Sequence, residues 1–173
     1  MRVSVVVAVG AVAVLLGVVG CASPGGQVTS PVPVEVVPAH ERDALAAYDG
    51  MWRAFGEASR SANWQSPELP RFATGHALDQ LVQGLQADKV LGVVTTGTYT
   101  TSPVVVSATP EGAPTVVRIQ DCGDDSNTTR VRASNGEVLP GGESGRHRIE
   151  AEVRNEAGVW KVADFRLRAA GTC

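Results

Sequence analysis

Hydrophobic positions along this chain change their period three times, and each change predicts a different kind of segment. Ahead of everything stands one charge, Arg2, followed by an apolar run from Val3 to Val19 interrupted only by Ser4, Gly10 and Gly17. A short positive start, an apolar middle and small residues at the end make an export signal over residues 1–20. The run is too rich in Val and Gly to make a good membrane helix, which needs about 20 apolar residues and anchored flanks. Residues 21–38 then lose all periodicity and fill with Pro, Gly, Ser and Thr, the composition of an extended, flexible spacer.

A period of three to four residues begins at Ala39. Leu45, Tyr48, Trp52 and Phe55, continued by the small Ala58 and Ala62, form one stripe along a helix over residues 39–62, with Glu41 and Asp43 near its positive end. Ser66-Pro67-Glu68 is a second helix start, kept short by Pro70 and contributing Leu69 and Phe72. A third helix runs from Thr74 to about Lys89 on Leu78, Leu81, Val82 and Leu85.

After Leu91 the period drops to two, and Thr, Val and Tyr take over. Strands are predicted at about residues 92–100, 103–109, 115–122, 129–134, 146–155 and 159–169, separated by turn residues such as Ser134-Asn135-Gly136. In the fifth strand His147, Ile149, Ala151 and Val153 take one face, against Arg146, Arg148, Glu150, Glu152 and Arg154 on the other. Helices followed by a run of antiparallel strands predict an α+β domain over residues 39–173, its sheet curled over the helices.

Composition refines this picture in three places. Aromatic residues are only 5% of the chain, so the few large rings must shape the core. A net charge of -3 argues against nucleic acid as a partner, since phosphate neutralisation supplies its sequence-independent affinity. The three cysteines are Cys21, Cys122 and Cys173. Val18-Val19-Gly20-Cys21 resembles a bacterial lipobox, which implies that Cys21 is acylated and that the chain sits on the extracytoplasmic face of a cell membrane by a lipid anchor. That leaves an even pair in an oxidising compartment and predicts a Cys122–Cys173 disulfide.

Catalytic and metal motifs do not assemble. His40, His76 and His147 lack ligand spacing, and Asp121, Asp124 and Asp125 lack the alternation of a calcium loop and read as a polar turn beside the disulfide. Ser144 lacks the second glycine of a nucleophile elbow, because Arg146 stands there. Nothing calls for a metal or a cofactor. The alternating Arg and Glu of the outer sheet face read as cross-strand charge pairs, with an anionic envelope polymer as a second reading.

Tyr48-x-x-Met51-Trp52, Ala73-Thr74-Gly75, Asp121-Cys122, Gly158-x-Trp160-Lys161-Val162 and the terminal cysteine together resemble a group of actinobacterial secreted lipoproteins. These are similar to the cone-shaped nuclear transport factor 2-like, or SnoaL-like, fold. The resemblance covers the domain from Ala39 onward and implies a cavity at the mouth of the cone. Tyr48, Trp52, Phe55 and Trp160 either line that cavity or fill the core. Enzymes of this fold place proton-transfer groups in it, which makes Asp164 and His147 candidates, although Asp164 also fits a bulge residue facing solvent and His147 a satisfied core residue. The expectation is a lipid-anchored binding or accessory module of the cell envelope, holding a protein or a small apolar ligand. The alternative is a small-molecule isomerase or cyclase working in the cavity.

Overall fold

A computed structural model of the chain describes residues 37–142 and 144–173. The export signal, the lipobox with Cys21 and nearly all of the spacer lie outside the described residues. The first helix, α1 (Ala39–Ser59), forms where the three-to-four spacing predicts it. Its burial is broader than the predicted stripe: Ala44, Ala47, Met51 and Ala54 are buried beside Tyr48 and Trp52, while Leu45 and Phe55 are only partly covered. The reason is that α1 is packed on more than one side, by a sheet and by the short α2 (Leu69–Phe72). Gly50 makes the second contact feasible, because a Cβ there would stand 2.4 Å from the Phe72 ring. The third helix, α3 (Gly75–Leu91), buries Ala77, Leu81 and Leu85.

Six antiparallel strands follow among the described residues, in two sheets. A pair is formed by β1 (Val93–Gly97) and β4 (Thr128–Arg132). The larger sheet has the order β2 (Val104–Thr109), β3 (Val116–Asp124), β5 (Arg146–Glu156), β6 (Val159–Ala170). Its inner face carries Val117 and Ile119 of β3, Ile149, Ala151 and Val153 of β5, and Val162 and Phe165 of β6, all buried against α1 and α3. Polar and charged side chains alternate with these on the outer face, as the period of two requires. The result is an α+β cone, helices packed on a curved antiparallel sheet.

Curvature has a local cause. The β5–β6 ladder slips twice, between His147 and Ile149 and between Glu152 and Val153, and each slip inserts an extra residue in β6. Such bulges bend a strand and add twist, which rolls the sheet over α1. Strand β1 is shorter than predicted because the chain leaves the sheet after Gly97, taking Tyr99 onto α1.

Cys122 and Cys173 form the expected disulfide, tying the end of the chain to β3 across β5. Among the described residues, the hydrophobic core lies between Ala44 and Phe165, so the unit from Val36 to Cys173 carries a core and a covalent link of its own. That is the requirement for independent folding. No described helix is long and apolar enough to cross a membrane.

Candidate functional site

One end of the cone is closed by side chains from four elements. Gly123 of β3, His147 and Ile149 of β5, Leu167 of β6 and Trp52 of α1 meet there under the segment Tyr99–Thr101, around a cavity of about 40 Å³. This is room for a water or for the terminal oxygens of a larger molecule. Trp52, Tyr99 and Thr101 also form a wall of a much larger open groove along α1, about 820 Å³, rimmed by Asp49, Arg53, Glu57 and Arg60. The two spaces share this wall. It is held by the stacking of Tyr99 on Trp52 and Phe55, with ring centroids 6.0 and 5.9 Å apart, and by a hydrogen bond of 3.0 Å from the Thr101 hydroxyl to Asp49.

Two nitrogen atoms on the cavity's lining residues have no hydrogen-bond partner although they are buried: Trp52 Nε1 and His147 Nε2. Both residues are only 8% exposed. The imidazole is fixed from its other side, where Nδ1 donates to the carbonyl of Arg168 at 2.9 Å. A carbonyl only accepts, so Nδ1 carries a proton and Nε2 is the ring nitrogen without a hydrogen-bond partner. Asp125 Oδ1 is 3.3 Å from Nε2 but off the ring's hydrogen-bonding line, and it is engaged by the Gly145 amide at 2.7 Å. A buried polar group without a partner costs roughly 1–3 kcal/mol, so two of them on residues that line one cavity single it out as the candidate site.

Behind the cavity lies a second polar group. Asp121 is 3% exposed and accepts hydrogen bonds from the Tyr48 hydroxyl at 2.8 Å and the Ser102 amide at 2.6 Å. Burial first, and then the charge and hydrogen bond of Asp121, push the Tyr48 hydroxyl far above the ordinary phenol range. The Trp52 indole opposes that rise slightly without reaching hydrogen-bond geometry. Gly123 connects this pair to the cavity: a Cβ there would lie 3.5 Å from Asp121 Oδ2 and 2.7 Å from Ile149 Cδ1. At the wall, burial and then the Asp125 and Asp88 carboxylates push the Tyr99 hydroxyl up to about 12.

The six residues expected at a pocket are therefore dispersed. Trp52 and His147 line the cavity, Phe55 supports its wall, and Tyr48 is a core residue bonded to Asp121. Trp160 lines a different cleft, with Phe72 and Lys161. The pairing of Asp164 with His147 is not realised. The bulge at Ala163 moves Asp164 to the outer face opposite Glu152, where its half-exposed carboxylate meets His76 Nδ1 at 2.8 Å. Nor do the three aspartates of the polar turn converge: Asp121 points inward, Asp124 caps the Ser126 amide at 2.8 Å, and Asp125 holds Gly145. Asp121 had a visible signal, since it occupies an inward position in the alternation Val117, Ile119, Asp121.

No family model matches the chain, and no curated protein matches its sequence. Among solved structures, it is similar to the intermembrane-space region of the chloroplast protein ARC6, with a TM-score of 0.48 and 18% identity over 75% of this chain and 96% of that one. A protein of unknown function with a cystatin-like fold from Nostoc punctiforme gives 0.43 and 12% over 80% and 97%. A protein from Kribbella flavida gives 0.47 and 13% over 75% and 92%.

Proposed function

We propose that this chain is a lipid-anchored binding module on the extracytoplasmic face of a cell membrane, and that it holds the polar end of a small, mostly apolar ligand in the mouth of the cone. The reading rests on one observation: Trp52 Nε1 and His147 Nε2 are both buried, both without a partner, and both on side chains that line one cavity. A ligand oxygen satisfies the indole N–H, and its apolar body extends past the Tyr99 wall along the groove floored by Trp52 and Gly56. The lipobox-like Val18-Val19-Gly20-Cys21 supplies the anchor, and the whole resembles the secreted actinobacterial lipoproteins of cone-shaped fold. Binding is favoured over isomerase or cyclase chemistry because Asp164 stands outside the cavity, leaving His147 without that partner.

The test uses hexanoate as probe and the indole N–H resonances of the three tryptophans as reporters. Titration should shift the Trp52 resonance saturably and leave Trp64 and Trp160 in place, and His147→Phe should weaken the response. An unresponsive Trp52, or equal shifts at all three rings, would refute the cavity reading. Loss of palmitate incorporation in Cys21→Ser tests the anchor separately.

A further inference from the structure

The outer face of the large sheet carries charge opposite in sign to the chain as a whole. Strand β5 sends Arg146, Arg148 and Arg154 outward among Glu150, Glu152 and Glu156. Strand β6 adds Lys161, Arg166 and Arg168 around Asp164, and β3 adds Arg118 and Asp124. This face thus holds seven of the chain's 15 Lys and Arg and only five of its 18 Asp and Glu. The net charge of the chain is -3, so the remainder of its surface is strongly acidic and the face stands apart from it.

Height matters as well as number. The Glu152 side chain is only 18% exposed, lying beneath Arg118 and Arg154, which reach it at 3.0 and 2.6 Å and are themselves 62% and 57% exposed. Glu150 is engaged by Arg168 at 3.3 Å and Asp164 by His76 at 2.8 Å. Glu150, Glu152 and Asp164 are thus covered or engaged, leaving Glu156 at the strand's end, whereas Arg148, Lys161 and Arg166 have no ion-pair partner among the described residues. Guanidinium and ammonium groups therefore outnumber the free carboxylates that the face presents outward. Beside them, on β2, Val104 and Val106 stand 56% and 57% exposed.

We infer that this outer sheet face rests against the surface of an anionic phospholipid bilayer. The cations are distributed over three strands set about 4.8 Å apart rather than along one line, so they match a two-dimensional array of headgroup phosphates better than a single polymer strand. Exposed valines next to arginines suit the boundary between headgroups and acyl chains. Each cation near such a surface strengthens attachment by about a factor of five.

The test uses the chain from Val37 to Cys173, which carries its own core and disulfide. It lacks Cys21, so the outcome does not depend on acylation. Co-sedimentation is measured with phosphatidylcholine vesicles and with vesicles that also contain phosphatidylglycerol. Binding should require phosphatidylglycerol and disappear in high salt. Arg148→Gln with Arg166→Gln should weaken it roughly thirtyfold, while Arg71→Gln with Lys89→Gln, the same change in net charge elsewhere, should leave it within about twofold. Equal loss in both pairs, equal binding to neutral vesicles, or binding to soluble poly-glutamate without binding to vesicles would each overturn the inference. Circular dichroism and an intact disulfide certify the fold of each variant.

Discussion

Tyr48→Phe isolates the polar pair behind the cavity. The substitution keeps a ring packed edge-on against Trp52 at 6.2 Å and removes only the hydroxyl. Asp121, 3% exposed, then loses one of its two hydrogen bonds and retains the Ser102 amide. A hydrogen bond to a charged group contributes about 1.5–3 kcal/mol, so the expected loss is about 2 kcal/mol, or a urea midpoint lower by about 1 M at unchanged slope. In an Asp121→Asn background the same substitution removes at most a neutral hydrogen bond, and the loss should fall to about 1 kcal/mol or less. Folding also holds the Tyr48 hydroxyl protonated, because its folded pKa is raised. Its contribution is therefore complete below the unfolded value of about 10 and declines as pH rises beyond it, and Tyr48→Phe should lose less stability than the parent above pH 10. Urea unfolding followed by tryptophan fluorescence measures all of this. A loss under about 0.5 kcal/mol, or equal losses in both backgrounds, would show that the Tyr48–Asp121 bond does not stabilise the fold as argued.

Three further outcomes follow from the geometry. Gly123→Ala places a Cβ 2.7 Å from Ile149 Cδ1, the tip of a side chain that already lines the cavity. Ile149 should turn into that space at a cost of about 1 kcal/mol, and the hexanoate response of Trp52 should vanish while the fold persists. Replacing Cys122 and Cys173 by Ala, or reducing them, should lower stability by about 2–4 kcal/mol in urea unfolding, since the link spans 51 residues of sequence. Asp164→Ala breaks only an exposed pair with His76 and should change stability by less than about 0.5 kcal/mol and leave the hexanoate response intact. A large effect on the probe would return Asp164 to the site.

Much of the architecture was legible because it depends on local period. The helical stripe of α1, the switch to alternation after Leu91 and the turns at Ser134–Gly136 and Asn155–Gly158 all express the geometry of one element at a time. The disulfide followed from counting cysteines, once Cys21 was set apart by its lipobox-like context. Tyr99 was not legible. It continues an alternating pattern and reads as strand, yet its ring gains more by covering Trp52 and Phe55 than the backbone gains by staying in β1. Asp121 was half legible, as a carboxylate in an apolar row, but its partner Tyr48 is 73 residues away and no periodicity links them.

The candidate site was legible only in part, through Trp52 and His147, for a related reason that lies in β6. A strict period of two along residues 159–170 would keep a single parity facing inward from end to end, and no spacing rule says where a strand will break that parity. The slip at Ala163 breaks it once, so that Val162 and Phe165 both face the core and Asp164, lying between them, turns outward to His76. The slip near Arg168 breaks it again, setting Ala170 opposite His147 and bringing the Arg168 carbonyl within reach of the imidazole. One bulge thus removes a carboxylate from the cavity, and the other fixes the His147 ring that lines it. Both are consequences of rolling a four-stranded sheet over α1. The curvature that makes the cone also selects which polar groups remain inside its mouth.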